Sequence, residues 1–182
     1  MIILAIVVMV LILIFVLMYN SFIYKENQVN NVFSTVDVLL QKRFDLVPNL
    51  VATVKGYAAH EKEVFEKVSE LRAQGMSSNI STDEKINIDN QISKFLRSIF
   101  ALSENYPELK ASENFLVLQK ELFEIEEQIS AGRRAYNASV TDYNNAVLMF
   151  PSNMIAGIFR FEIKTLFQID EGKAENKNWF KN

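Results

Sequence analysis

The chain has 182 residues, 49% of them hydrophobic, and its 19 Lys+Arg against 22 Asp+Glu give a net charge of -3. That is enough apolar content for a core, and no basic run is long enough to track a phosphate backbone, so nucleic acid is not a partner. The absence of cysteine excludes a disulfide framework, a thiolate metal site and a lipid-modified cysteine, while five glycines and three prolines favour long helices over a sheet with many turns.

The chain opens on MIILAIVVMVLILIFVLM, 18 apolar residues that as a helix cover roughly 27 Å, near the hydrocarbon thickness of a bilayer. Neither a charged region before the run nor a small-residue exit after it marks a cleaved signal. Residues 1–19 therefore read as a retained transmembrane anchor, with Tyr19, Phe22 and Tyr24 at the interface. Lys25, Lys42 and Arg43 follow the span, which by the positive-inside rule places the rest of the chain in the cytoplasm and a short N-terminus outside.

From Val29 to Leu71 apolar residues recur at three-four spacing, predicting one long amphipathic helix that Gly75 stops. Pro48 interrupts it, since proline lacks an N–H and crowds the carbonyl four residues earlier. Either the helix bends there or a new one starts, with Asp45 as its N-cap. The unbroken phase of Val36, Arg43, Leu50, Tyr57, Val64 and Leu71 favours a kinked continuous helix. Ser81 and Glu84 form a capping-box pattern for a second helix, striped by Ile88, Ile92, Phe95, Leu96, Ile99 and Leu102. The third starts after Ser112, carries Phe115, Leu118, Leu122, Ile125, Ile129, Tyr136, Val140, Tyr143 and Val147 on one face, and ends before Pro151. Residues 150–167 restart as a short helix with too many apolar side chains for one stripe. They either dock across one end of the bundle or enter a membrane surface or partner, with Arg160 and Lys164 near lipid phosphates.

Chemistry finds little footing. His60 is the lone histidine, and a di-metal bundle needs two Glu-x-x-His motifs. No G-x-S-x-G elbow, P-loop or G-x-G-x-x-G occurs. Two charges interrupt the seam of the first helix, Arg43 and Glu61, roughly 27 Å apart along a helix and so unable to pair with each other. The line Glu126, Arg133, Asn137 and Asn144 on the third helix offers them partners, as buried polar contacts that fix register or, alternatively, as a ligand-binding seam. Gly132 within the third stripe reads as a close helix contact, and the YN pairs at 136–137 and 143–144, a heptad apart, as packing.

Several stretches together, YN at 19–20, VDVLLQKRFDLVPNLVATVKGYAAHEKEV at 36–64, ENYPELKASENFLVLQKEL at 104–122, RRAYNASVTDYN at 133–144 and FPSNMIAGIF at 150–159, resemble the LemA family of bacterial membrane proteins. The resemblance covers nearly the whole chain and implies one N-terminal membrane helix, an α-helical bundle and no catalytic residues to carry over. One branch of the family works in magnetosome membranes, which by analogy favours a membrane-organising role. The chain departs from the family pattern at Glu126-Glu127-Gln128, where Glu-Asn-Arg is usual, at Arg160, where glycine is common, and in its tail, which lacks the usual prolines.

The expected architecture is all-α. A transmembrane anchor (1–19) precedes an antiparallel up-and-down bundle of three long helices, the first kinked at Pro48, with a short C-terminal helix (20–168), and a polar tail follows (169–182). The expected function is that of a non-enzymatic interaction or scaffold protein at the bacterial inner membrane, without cofactor or metal. Its partners are membrane lipids through the anchor and a further protein, and the bundle has scope to oligomerise. A lipid-surface-binding or membrane-remodelling role and a ligand-binding or enzymatic bundle are the alternatives. Arg43, Pro48, Glu61, Glu126, Gly132, Arg133 and Phe159 are the candidate structural or interaction residues.

Overall fold

The computed structural model describes residues 1–57, 62–77 and 80–167, with backbone alone at 62–64. Six helices and no strand occur among the described residues: α1 (Ile2–Lys55), α2 (Lys62–Gly75), α3 (Thr82–Ser103), α4 (Pro107–Lys110), α5 (Glu113–Leu148) and α6 (Ser152–Phe159). The anchor and the first bundle helix are one continuous helix, and none of its 18-residue apolar window is buried, as an element surrounded by lipid requires.

Two strict heptad lines organise the core. On α1 these are Phe22, Val29, Val36, Arg43 and Leu50, and on α5 Phe115, Leu122, Ile129, Tyr136 and Tyr143, all buried. A seven-residue repeat held over this length keeps one seam facing its partner, as in coiled coils. Gly132 lets the two backbones approach: a Cβ there would sit 2.9 Å from Val36 Cγ2. The part of α1 beyond the anchor, residues 20–55, and the 36 residues of α5 are each about 54 Å long, so the antiparallel pair ends flush at both ends.

The expected single helix from Val29 to Leu71 is divided. α1 stops at Lys55, and α2 returns along its outer half, with Phe65, Val68 and Leu71 buried in the same core as Val47, Val51 and Val54. Periodicity cannot separate one long helix from two antiparallel ones that share a core, because each keeps the same stripe. The stripe does fail at the break, where Tyr57 is 40% exposed and follows Gly56, a poor helix former. The expected helix-break alternative at Pro48 does not occur.

α3, capped by the reciprocal Ser81–Glu84 box, runs back up beside α1 and α2. Gly75 admits it closely, since a Cβ there would meet Phe44 at 2.6 Å and Ile88 at 3.2 Å. The result is two tiers. Among the described residues, an outer tier packs α1, α2, α3 and α5, and a tier next to the anchor packs α1, α5 and the short α6, with the extended segment 161–167 laid against them as a strap. His60, Glu61 and the tail 169–182 lie outside the described residues, and so does the expectation that Glu61 occupies a buried seam.

Candidate functional site

The main convergence of charge lies where the two tiers meet. Arg43 occupies a core heptad position on α1 and is fully buried. Its Nη1 donates to Glu126 Oε2 at 2.8 Å and to Ser93 Oγ at 3.0 Å, and its Nη2 donates to the Asp89 carbonyl at 3.2 Å and pairs with the Asp89 carboxylate. Arg133, one heptad after Glu126, donates from Nη2 to the other oxygen of Asp89, with its Nη1 3.8 Å from Glu126 Oε1. Two guanidiniums thus face two carboxylates, drawn from three helices. Burial pushes the Arg43 guanidinium down to about 10; Glu126 raises it and Arg133 lowers it further. It stays a cation at neutral pH, held by neighbours rather than by water.

The structure brings Arg43, Glu126 and Arg133 together and sets Gly132 beside Arg133 against α1. Asp89, the fully buried acid that joins both arginines, was missed by sequence reasoning. The available signal was its place on the α3 stripe, three residues after Ile86 and three before Ile92.

Pro48 has a different partner. With no N–H of its own, it leaves the Phe44 carbonyl without a helical donor. Arg72 Nε of α2 donates to that oxygen at 3.0 Å, and the Arg72 Nη2 lies 3.8 Å from Asp45. The proline is accommodated because a neighbouring helix satisfies the group it orphans.

Asn137 and Asn144 do not serve Arg43, contrary to expectation. Each side-chain amide pairs with the backbone of the C-terminal segment: Asn144 with Lys164 (2.9 Å both ways) and Asn137 with Phe167 (2.9 and 2.8 Å). Seven helical residues and three extended ones both cover about 10 Å, which is why the heptad-spaced asparagines match the 164–167 step. The preceding tyrosines face inward, so the YN repeat both packs the core and clamps the strap. Burial pushes Tyr136 and Tyr143 up to about 12, with Asp83 adding to the first and Glu26 and Glu162 to the second. A cavity of about 250 Å³ opens between the strap and the start of α3, lined by Val29, Phe33, Asp83, Tyr136, Ile163 and Thr165 among others.

Phe159 lies far from the charge cluster. Its ring is 4.7 Å from Tyr19 and 5.9 Å from Phe15 of the apolar run, and Phe161 stacks on Phe22 at 4.8 Å. Phe22, expected at the interface, is instead buried under the strap. Arg160 between the two phenylalanines ends α6 at φ 56°, ψ 42°, a left-handed conformation that favours glycine.

Fold and site define a class: a membrane protein in which a helix long enough to cross a bilayer continues into an all-α bundle pinned by a buried ion-pair cluster. The chain belongs to the LemA family, whose model matches residues 32–179. The protein LemA of Metamycoplasma hominis is 22% identical over 165 residues, covering 87% of this chain and 75% of that protein. Magnetosome protein MamQ 2 of Paramagnetospirillum magneticum is 26% identical over 175 residues, covering 82% and 64% respectively. Magnetosome protein MamQ of Magnetospirillum gryphiswaldense is 25% identical over 171 residues, covering 79% and 62%. The chain thus spans a little under two thirds of these MamQ proteins.

Proposed function

We propose that the chain is a non-enzymatic scaffold: an anchor in the bacterial cell membrane carrying a helical bundle on the cytoplasmic face that presents its outer tier to a protein partner. The observation that carries this reading is the closure of the charge cluster. Arg43 and Arg133 face Asp89 and Glu126 inside helix packing, an arrangement suited to fixing the register of three helices. The cavity between strap and α3 is lined by none of these four residues, so the converging charges and that cavity do not coincide. Lys25 and Lys42 after the span support the cytoplasmic placement.

The partner surface is the outward face of α5 in the outer tier, where Leu116 and Val117 stand exposed. The magnetosome proteins among the relatives favour a role in organising a membrane by analogy. The test is a photo-crosslinking amino acid at Leu116 of the full chain in its native membrane. A discrete adduct is expected, and Val117→Asp should abolish it without lowering the melting temperature. An adduct indifferent to Val117→Asp, or none, would overturn the reading.

A further inference from the structure

The anchor-side end of the bundle carries an apolar surface that the helix packing does not cover. Sixteen residues beyond Gly132, which faces Val36, Leu148 comes level with Asn20, two residues past the end of the apolar run at Met18. The chain then turns through Met149 and Phe150 into α6, whose Ile155 and Ala156 face inward. Phe150, Met154 and Ile158 are 78%, 62% and 67% exposed, and Leu148 and Met149 are exposed beside them. No charged residue stands between Asp142 and Arg160.

The position of this surface identifies what covers it. The Phe159 ring rests on Phe15 and Tyr19, side chains of the helix long and apolar enough to cross a bilayer. Phe15 lies three helical residues, about 4.5 Å, before Met18 at the end of the apolar run, so the Phe159 ring that closes α6 reaches about that far inside it, close to the depth at which interfacial helices lie. A segment at that level cannot avoid lipid if the anchor spans. Arg160 closes α6 in a left-handed conformation and is exposed, one residue beyond the Phe159 that touches the anchor. The strap 161–167 then leads away from the membrane, clamped by Asn144 and Asn137 and tied by Lys164 to Glu26 at 3.1 Å.

We infer that residues 148–159 form a second membrane contact, a monotopic element that enters the leaflet on the bundle side next to the anchor. Its occupant is the boundary between headgroups and acyl chains. Anchor and α6 together then hold the bundle at two points, and the strap fixes the distance between them. A single helix would leave the bundle free to swivel about its axis; two contacts set which face of α5 points along the membrane.

The absence of native cysteine allows a direct test with the full chain in vesicles of phosphatidylethanolamine and phosphatidylglycerol. Single cysteines at Met154, Ile158 and, as an aqueous reference, Lys120 are labelled with an environment-sensitive fluorophore. All three positions are exposed, so labelling leaves the packing intact. The expected result is blue-shifted emission at 154 and 158, quenched several-fold more by nitroxide on the upper acyl chain than by aqueous iodide, with the reverse at 120. Iodide quenching at 154 and 158 equal to that at 120 would overturn the inference. So would protection from both quenchers, which would place a protein or a second copy over the surface.

Discussion

Replacing Asp89 with asparagine changes the buried cluster by one charge and almost no volume. In the native arrangement one carboxylate oxygen faces Arg43 and the other faces Arg133. An asparagine can offer its oxygen to one guanidinium only, and its NH2 then points a donor at the other. Two guanidiniums are left against Glu126, and Arg43 has no access to water. Breaking a buried pair in this way costs about 3–5 kcal/mol. At about 2–4 °C per kcal/mol for a chain of this size, Asp89→Asn should lower the melting temperature of the full chain in nanodiscs by roughly 10 °C, followed by far-ultraviolet circular dichroism. Replacing all four charges together, as Arg43→Met, Asp89→Val, Glu126→Leu and Arg133→Met, should melt within about 2 kcal/mol of the native chain or above it, because no charge is stranded. A shift of less than about 2 °C for Asp89→Asn would refute the reasoning and place Asp89 in contact with solvent.

Other expectations follow from the same packing. Gly132→Leu should destabilise by about 1–3 kcal/mol through overpacking against Val36, so a raised melting temperature would remove Gly132 from the α1–α5 contact. Asn144→Leu removes both bonds to Lys164, at about 1 kcal/mol each, and hydrogen exchange at the Lys164 amide should accelerate while the Phe167 amide, held by Asn137, stays protected. Tyr136 and Tyr143 keep their protons to about pH 12 when folded and lose them from about pH 10 when unfolded, so stability should fall across that window. Arg43, lowered by burial to about 10 when folded, contributes the opposite slope above that pH, so Tyr136→Phe/Tyr143→Phe should turn the alkaline fall into a rise. A cysteine at Lys120 in intact cells should resist an impermeant thiol reagent until lysis; labelling without lysis would reverse the membrane orientation.

Much of the fold could be read from the sequence because its signals are local and repetitive. The heptads of α1 and α5 declare their buried faces, Ser81 with Glu84 declares a helix start, and the apolar run declares the anchor. The break after Lys55 was hidden because two antiparallel helices that bury the same stripe have the periodicity of one. The charged site was half legible. Arg43 stands out as a cation on a heptad seam, but Asp89 is one of three acids in a helix of mixed polarity, and only the stacking of three helices reveals it as the bridge. Arg72 was unreadable for a related reason. It answers a defect that Pro48 makes 24 residues earlier, and that geometry exists only once α2 has folded back. Asn137 and Asn144 could be located but not assigned, since their partners are backbone atoms of a segment with no periodicity of its own.

Whether the buried charges only hold helices together while the outer tier does the binding can be decided by combining two perturbations. The chain with all four cluster charges replaced by apolar residues carries the photo-crosslinker at Leu116 and is irradiated in its native membrane. The same adduct, in the same yield as with the native cluster, is expected. A folded quadruple variant, melting like the native chain but yielding no adduct, would contradict it and make Arg43, Asp89, Glu126 and Arg133 a working site.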